Sequence, residues 1–408
     1  MKIALVHHIP FKEMDYATPQ HFIGIANILK KNGATVEFFV LSNRNYTSIF
    51  NGYVQHEVKG YIYPNHTTPI KAFEFASLIL IDRRPLMWLM NRNNKLLEKI
   101  EEYSPEAIII GDYVLSGMFE RYKKSKNLKT AKIFPLMDSH KMINSNLDYI
   151  LGINIQFRKI IRKLLEKNYI RSNLKMFHKM ANIANTIVTT SEPAKLTIIR
   201  DFPQYKDKIV EISPYLIFKK NKKPKLKKHV NKILFIGTYT HGPNLEAINI
   251  IRNDIAPKLP NKEFLIAGKN CPIKKEGNIK YLGSVKHLSE LLNKVDLCIS
   301  PTTSGSGRKA KVFEYLASNK AILGTSIAFE GYEVKDKENV LIEDDVQKFH
   351  LRIIELDNNP KLLIKIQKNT AKLLKKYSEE NISKRWIKLL NLKIRSRKTG
   401  KLTELISH

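Results

Sequence analysis

Cysteine is scarce in this chain. Its 408 residues hold two, Cys271 and Cys298, which cannot form a disulfide framework, and no His/Cys group has zinc-finger spacing. This usage points to a reducing compartment. Long apolar runs are also missing. The most apolar stretch, ASLILIDRRPLMWLM from Ala76, is broken by Asp82, Arg83 and Arg84, so no segment approaches the ~20 apolar residues that span a bilayer. The opening MKIALVHHIP runs directly into a strand-like segment, without a charged leader, a long apolar stretch and a small-residue cleavage site. A cytoplasmic protein is expected, soluble or peripheral at the inner face of a membrane.

Acidic residues are the third shortage. Lys and Arg number 70 against 38 Asp and Glu, a formal net charge of +32. Such a field attracts polyanions, and nucleic acid, an anionic membrane face and a diphosphate substrate all fit it. Part of the excess is compositional, since Lys, Ile and Asn are abundant throughout. No aromatic-basic RNP pattern, zinc finger or basic zipper accompanies the charge, so nucleic acid is not an expected partner.

What the chain does have is alternation. Short β-branched or apolar runs recur, each followed by a stretch of helical periodicity, which is the pattern of parallel βαβ units. In the first half the runs include KIALV from Lys2, TVEFFVL from Thr35, AIIIGD from Ala107, AKIFPLMD from Ala131 and TIVTTS from Thr186. A second series begins with KILFIGT from Lys232 and continues through EFLIAG, IKYLGS, DLCIS, AILGTS and VLIED. Near-continuous apolar runs imply strands covered on both faces. The expected architecture is α/β, with two doubly wound Rossmann-like domains. The first spans residues 1–217 and the second residues 232–376. Between them, FKKNKKPKLKKHVN (218–231) reads as a basic linker around Pro224. A C-terminal helix over 377–394, with Ser378 as a candidate N-cap and Glu379 and Glu380 at its positive end, is expected to lean back on the first domain. A loose tail is expected over 395–408.

The informative signals lie in the second half. In FIGTYTHGPNLEAINII a strand ends at Gly237 and a Pro-Asn turn starts a helix. Farther on, DLCISPTTSGSGRKAKVFEYLASNKAILGTSIAFEGY reads as strand, Gly/Ser-rich loop, helix and strand. This segment resembles the donor-binding core of family 4 glycosyltransferases, and the likeness extends over roughly Lys232 to Tyr377, through AGKN, IKYLGSV and FEGYEVKDKENVLIEDD. The first half matches in outline, through its strand–helix order and the MDSH and TTSEP segments. The resemblance implies a GT-B fold, two domains facing a cleft, and transfer of a sugar from a nucleoside-diphosphate sugar to a glycan or lipid-linked acceptor, mostly with retention of anomeric configuration.

The residues of the loop suit that role. Gly305 and Gly307 let the backbone approach a ligand, with Ser306 between them, and the following helix presents its positive end. Arg308, Lys309 and Lys311 sit at that helix start, where cations oppose the helix dipole unless an anion is present. Val312, Phe313, Leu316 and Ala317 form its buried stripe, and Glu314 projects off it. The resemblance assigns Glu314 to the ribose hydroxyls; the alternative is a salt bridge to Lys311 on the same side. Many relatives carry a second Glu eight residues before Glu314, where this chain has Ser306.

Transfer needs charge stabilised on the leaving diphosphate, an acceptor hydroxyl held in line and help removing its proton. In GT-B enzymes basic side chains and helix ends usually do the first. No DxD motif stands at a strand end, Asp344 and Asp345 being adjacent, so neither a metal nor a cofactor is expected; the nucleotide sugar is the donor substrate. For the acceptor, His7 and His8 end the first strand, and Asp138, Ser139 and His140 end the fourth. Asp138, His140 and His8 are the candidates to orient or deprotonate it. From Phe157 the chain reads FRKIIRKLLEKNYIRSNLKMFHKM, a basic amphipathic helix that can rest on an anionic membrane or simply face the interior with a solvated basic side. Trp88 is open between core and membrane contact. Two other functions remain at this stage: a nucleotide-sugar epimerase of related architecture, and a basic binder of anionic surfaces or nucleic acid.

Overall fold

The computed structural model describes residues 1–7, 17–42, 45–59, 95–111, 115, 119, 132–137, 174–175, 177–214, 226–239, 241–305 and 308–399. His8, Asp138, Ser139, His140, Ser306, Gly307, Trp88, most of the basic run from Phe157 and most of the linker lie outside them; at the end of that run Phe177 and Met180 are buried in the core. The chain divides into two compact units, Met1–Tyr215 with Glu379–His408, and Leu216–Ser378.

In the first unit β1 (Lys2–His7) is followed by α1 (Ala17–Lys31), β2 (Thr35–Ser42), β3 (Tyr46–Phe50), β4 (Tyr53–Lys59), α2 (Lys95–Tyr103), β5 (Ala107–Ile110), β6 (Lys132–Met137), β7 (Ile187–Thr189), α3 (Glu192–Asp201) and β8 (Ile209–Glu211). The eight strands form one sheet in the order β3-β4-β2-β1-β5-β6-β7-β8. All pairings are parallel except β3 with β4. Successive strand residues point to opposite faces, and here both faces are covered. Ile3, Leu5, Phe38, Val40 and Ile109 join one core cluster, while Ala4, Val6, Phe39, Leu41, Ile108 and Ile110 join the other. That two-sided burial is why these strands read as unbroken apolar runs. The β3–β4 hairpin was not anticipated. It turns through Asn51 and Gly52, both at positive φ (49° and 79°), the two-residue turn that Asn-Gly favours.

The last helix, α9 (Glu379–Thr399), belongs to this unit. Its Ile382, Trp386, Leu389 and Leu390 enter the same cluster as α1, Asn32 Nδ2 donates to Ser383 Oγ at 3.1 Å, and Lys31 pairs with Glu379. The helix runs on to Thr399, past residue 394 where a loose tail was expected. NLKIRSRKT contains neither Gly nor Pro, the two residues that most disfavour a helix interior, so nothing in it interrupts the helix.

The second unit carries β9 (Lys232–Ile236), α4 (Gly242–Ile250), β10 (Glu263–Ala267), β11 (Ile273–Glu276), β12 (Ile279–Leu282), α5 (Leu288–Lys294), β13 (Leu297–Ser300), α6 (Ala310–Ala317), β14 (Ala321–Gly324), β15 (Leu341–Ile342), α7 (Phe349–Asn358) and α8 (Pro360–Lys376). Its seven strands are ordered β11-β12-β10-β9-β13-β14-β15, parallel apart from the short β11–β12 hairpin. Two clusters again fill opposite faces, one around Ile233, Phe235, Phe264 and Ile299, the other around Leu234, Ile236, Cys298 and Tyr315. The chain builds outward from β9 through β10 to β12, then returns to β13 on the other side of β9. The crevice between the carboxyl ends of β9 and β13 is therefore the topological switch point, where doubly wound sheets bind ligands.

Candidate donor site

The segments leaving β9 and β13 meet at that switch point. Beyond β9, the Gly237 amide donates to the Ala267 carbonyl at 3.0 Å. A Cβ on Gly237 would stand 2.7 Å from Asn244 Cγ, and one on Gly268 would stand 2.0 Å from the Gly237 oxygen. Both glycines are there because other atoms occupy the space a side chain would need. Gly242 opens α4 with Pro243 in its first turn, a position that suits proline. Asn244 follows. Its Nδ2 donates to the Thr238 carbonyl at 3.0 Å, and its Oδ1 accepts from Lys311 Nζ at 2.6 Å.

The loop after β13 is tied down from several sides. Thr303 and Ser304 donate their hydroxyls to the Glu246 carboxylate on α4, and Thr325 donates to the Thr302 carbonyl. Gly305 turns the chain at φ +89°, with the Pro243 ring 3.5 Å from where its Cβ would stand. The helix that follows, α6, buries Val312, Phe313, Leu316 and Ala317 as its periodicity predicts, and Tyr315 as well. Tyr315 Oη accepts the Ile236 amide at 2.9 Å, fixing α6 against the carboxyl end of β9.

The cations divide into two kinds. Lys311 Nζ lies 4.2 Å from the centre of the Phe235 ring; burial, with Lys309 adding to it and Glu314 opposing, lowers its pKa to about 7. Lys309 reaches toward Glu330, 3.7 Å away. Arg308 turns elsewhere. Its guanidinium lies 5.1 Å and 4.7 Å from the Tyr332 and Tyr377 ring centres, and its Nη2 donates to the Gly331 carbonyl. Three adjacent cations thus do not form one cluster, because the helix start sends Arg308 toward the FEGY turn.

Glu314 is 8% exposed. Burial lifts its carboxyl to about 7 against the pull of Lys311, and among the described residues it makes no side-chain hydrogen bond or ion pair. The expected alternative, a salt bridge to Lys311, does not form. Gly237, Gly305, Lys309, Lys311 and Glu314 therefore gather at the switch point, while Arg308 braces the loop beside it. Asn244, Glu246, Thr303 and Ser304 were not singled out from sequence; the Pro-Asn pair opening α4 was the one available signal. In the first unit, His7 is buried with its ring edge-on to Phe22, 5.7 Å between centres, and Gly111 leaves the space that ring occupies.

Residues 230–359 match the family model described as Glycosyl transferases group 1. No curated protein sequence matches the chain. Among solved structures, TarM is 17% identical with a TM-score of 0.57, over 72% of this chain and 57% of TarM, so the chain spans less than two thirds of that protein. Sucrose-phosphate synthase from Thermosynechococcus elongatus is similar over 97% of this chain and 99% of its own, at 11% identity and a TM-score of 0.68. HepE from Anabaena, in complex with UDP, covers 96% of this chain and 100% of its own, at 12% identity and a TM-score of 0.63. Residues 230–359 thus carry a group 1 glycosyl transferase domain, and the fold of the chain is the GT-B fold of these glycosyltransferase neighbours.

Proposed function

We propose that the protein transfers a sugar from a nucleoside-diphosphate sugar to a glycan or lipid-linked acceptor, with retention of configuration and without a metal ion. The observation that carries this reading is the head of α6. There an ammonium, Lys311, and a carboxyl with no partner among the described residues, Glu314, lie one turn apart beside a glycine loop at the switch point of the sheet. A diphosphate satisfies the first and a ribose diol the second.

In the reaction, the bond between the anomeric carbon and the β-phosphate oxygen breaks, the acceptor oxygen bonds to that carbon, and the acceptor hydroxyl loses its proton. Negative charge grows on the departing diphosphate. Lys309 and Lys311, with the amides around Gly305, Ser306 and Gly307 and the positive end of α6, stabilise it where it develops. Glu314 accepts the ribose hydroxyls and sets the register of the nucleoside. Gly237 supplies the close backbone approach, and Arg308 holds the loop in place through its contacts with the Tyr332 and Tyr377 rings. Asp138, His140 and His8 are assigned to orienting the acceptor and taking its proton. The HepE complex makes UDP the first nucleotide to try. An acceptor carried on a lipid suits the excess of cations, and the basic run from Phe157 is the segment proposed to meet an anionic membrane face.

The test is turnover. UDP-, GDP- and ADP-sugars are incubated with the protein, with and without EDTA, in the presence of lipid-linked and free glycan acceptors. Acceptor-dependent release of one nucleoside diphosphate that survives EDTA supports the reading. Release independent of any acceptor, with the free sugar as product, contradicts transfer and favours an epimerase-like or hydrolytic reaction.

A further inference from the structure

Asn244 stands between two parts of the proposed donor site. Its amide cannot rotate freely: Nδ2 is committed to the Thr238 carbonyl at 3.0 Å, which leaves Oδ1 facing α6 to accept the Lys311 ammonium at 2.6 Å. Gly237 makes this possible, since a Cβ there would strike the Asn244 side chain. The acceptor is neutral. The charged groups that act on Lys311 are Lys309, just before α6, and Glu314, one turn on; Glu314 closes no ion pair with the lysine, and Glu246 on α4 is taken up by Thr303 and Ser304. Lys311 is thus aimed by a dipole, and among the described residues no carboxylate forms an ion pair with it.

We infer that Asn244 is a positioning residue for the donor, an inference that rests on the donor site proposed above: it fixes the Lys311 ammonium beside β9 through a neutral acceptor, so that the charge serves the diphosphate. An aspartate at this place would neutralise the lysine by pairing with it, and would give up the bond to the Thr238 carbonyl, since a carboxylate has no N–H to donate. A positioning residue loses by it, because the diphosphate must then compete with a carboxylate. Because Glu246 holds the glycine loop through separate bonds, removing the Asn244 amide leaves that loop anchored.

The test is calorimetric titration of UDP, GDP and ADP into the full chain, with the matching nucleosides as controls. For whichever nucleoside diphosphate binds the wild type, Asn244→Ala is expected to weaken binding roughly tenfold, the scale of one charge-assisted hydrogen bond. In a Lys311→Ala background the same change should have no further effect. Asn244→Asp should also weaken nucleoside diphosphate binding while leaving nucleoside binding unchanged, and it keeps the test open if the alanine variant fails to fold. Additive losses in the double variant, or wild-type affinity in Asn244→Asp, overturn the inference while leaving the donor site standing. Absence of binding by the wild type to all three removes the donor site itself, and this inference with it.

Discussion

Lys311 and Glu314 lie one turn apart on α6 and do not pair: the ammonium goes to Asn244 Oδ1 at 2.6 Å, and the carboxyl is left without a hydrogen bond among the described residues. Burial moves the two toward each other, the lysine lowered to about 7 and the glutamate raised to about 7.

This arrangement dictates a pH dependence. Glu314 is protonated more readily in the folded than in the unfolded chain, so its contribution to stability is present below about 4.5 and lost as pH rises toward 7. Lys311 is protonated less readily when folded, so its contribution is present above about 10.5 and lost as pH falls toward 7. From these two groups the free protein is least stable near pH 7. Glu314→Gln removes the first effect and should stabilise by ~1–2 kcal/mol at pH 7.5 and by nearly nothing at pH 4.5. Melting curves of variant and wild type across pH 4.5–8 check this; a difference that does not grow with pH contradicts it.

Gly237→Ala places a methyl group against Asn244, which must swing away from Lys311. Overpacking of this kind costs ~1–3 kcal/mol. Nucleoside diphosphate affinity should fall with it, and the pH at which binding is half-maximal should move as Lys311 loses its acceptor. Binding unchanged at every pH would show that Asn244 and Lys311 are not linked to the ligand.

Arg308→Lys separates bracing from phosphate binding. Lysine keeps the charge but lacks the planar fork that packs against both Tyr332 and Tyr377 while bonding the Gly331 carbonyl. The expected result is a loss of ~1–2 kcal/mol in stability, seen as a lower denaturant midpoint. Full stability with weakened diphosphate binding would instead place Arg308 on the phosphate.

Trp386 tests the assignment of the last helix to the first unit. It is 1% exposed among Ile382, Leu389 and Leu390 in the core beside α1. Trp386→Ala should cost ~3–5 kcal/mol, and hydrogen exchange should quicken in β1, β2 and α1 while β9 to β14 stay protected. Uniform loss of protection in both units would contradict the division.

Much of this was legible because burial on both faces writes itself into a strand. IALV, AIII, ILFI, FLIA and LCIS each form a central strand with alternate residues in two cores. The strands β3, β4 and β11 were missed; β3 and β11 are largely exposed edges, as in Ile273–Glu276, and β4 mixes Gln55 and Glu57 into its buried face, although Asn51-Gly52 and Gly277-Asn278 mark the turns. The glycine loop, Lys311 and Glu314 could be placed from local pattern. The partner of Lys311 could not: Asn244 is 67 residues away, and only the return of the chain to β13 beside β9 brings them together. Arg308 misled by adjacency, since three neighbouring cations suggest one ligand and the backbone separates them.

The most direct test of the donor site is calorimetric titration of UDP, in EDTA, into the wild type, Lys311→Ala and Glu314→Gln. Binding by the wild type, with each variant weakened roughly tenfold or more and still folded, is the predicted result. Equal affinity in all three proteins would place the nucleotide elsewhere and contradict the account.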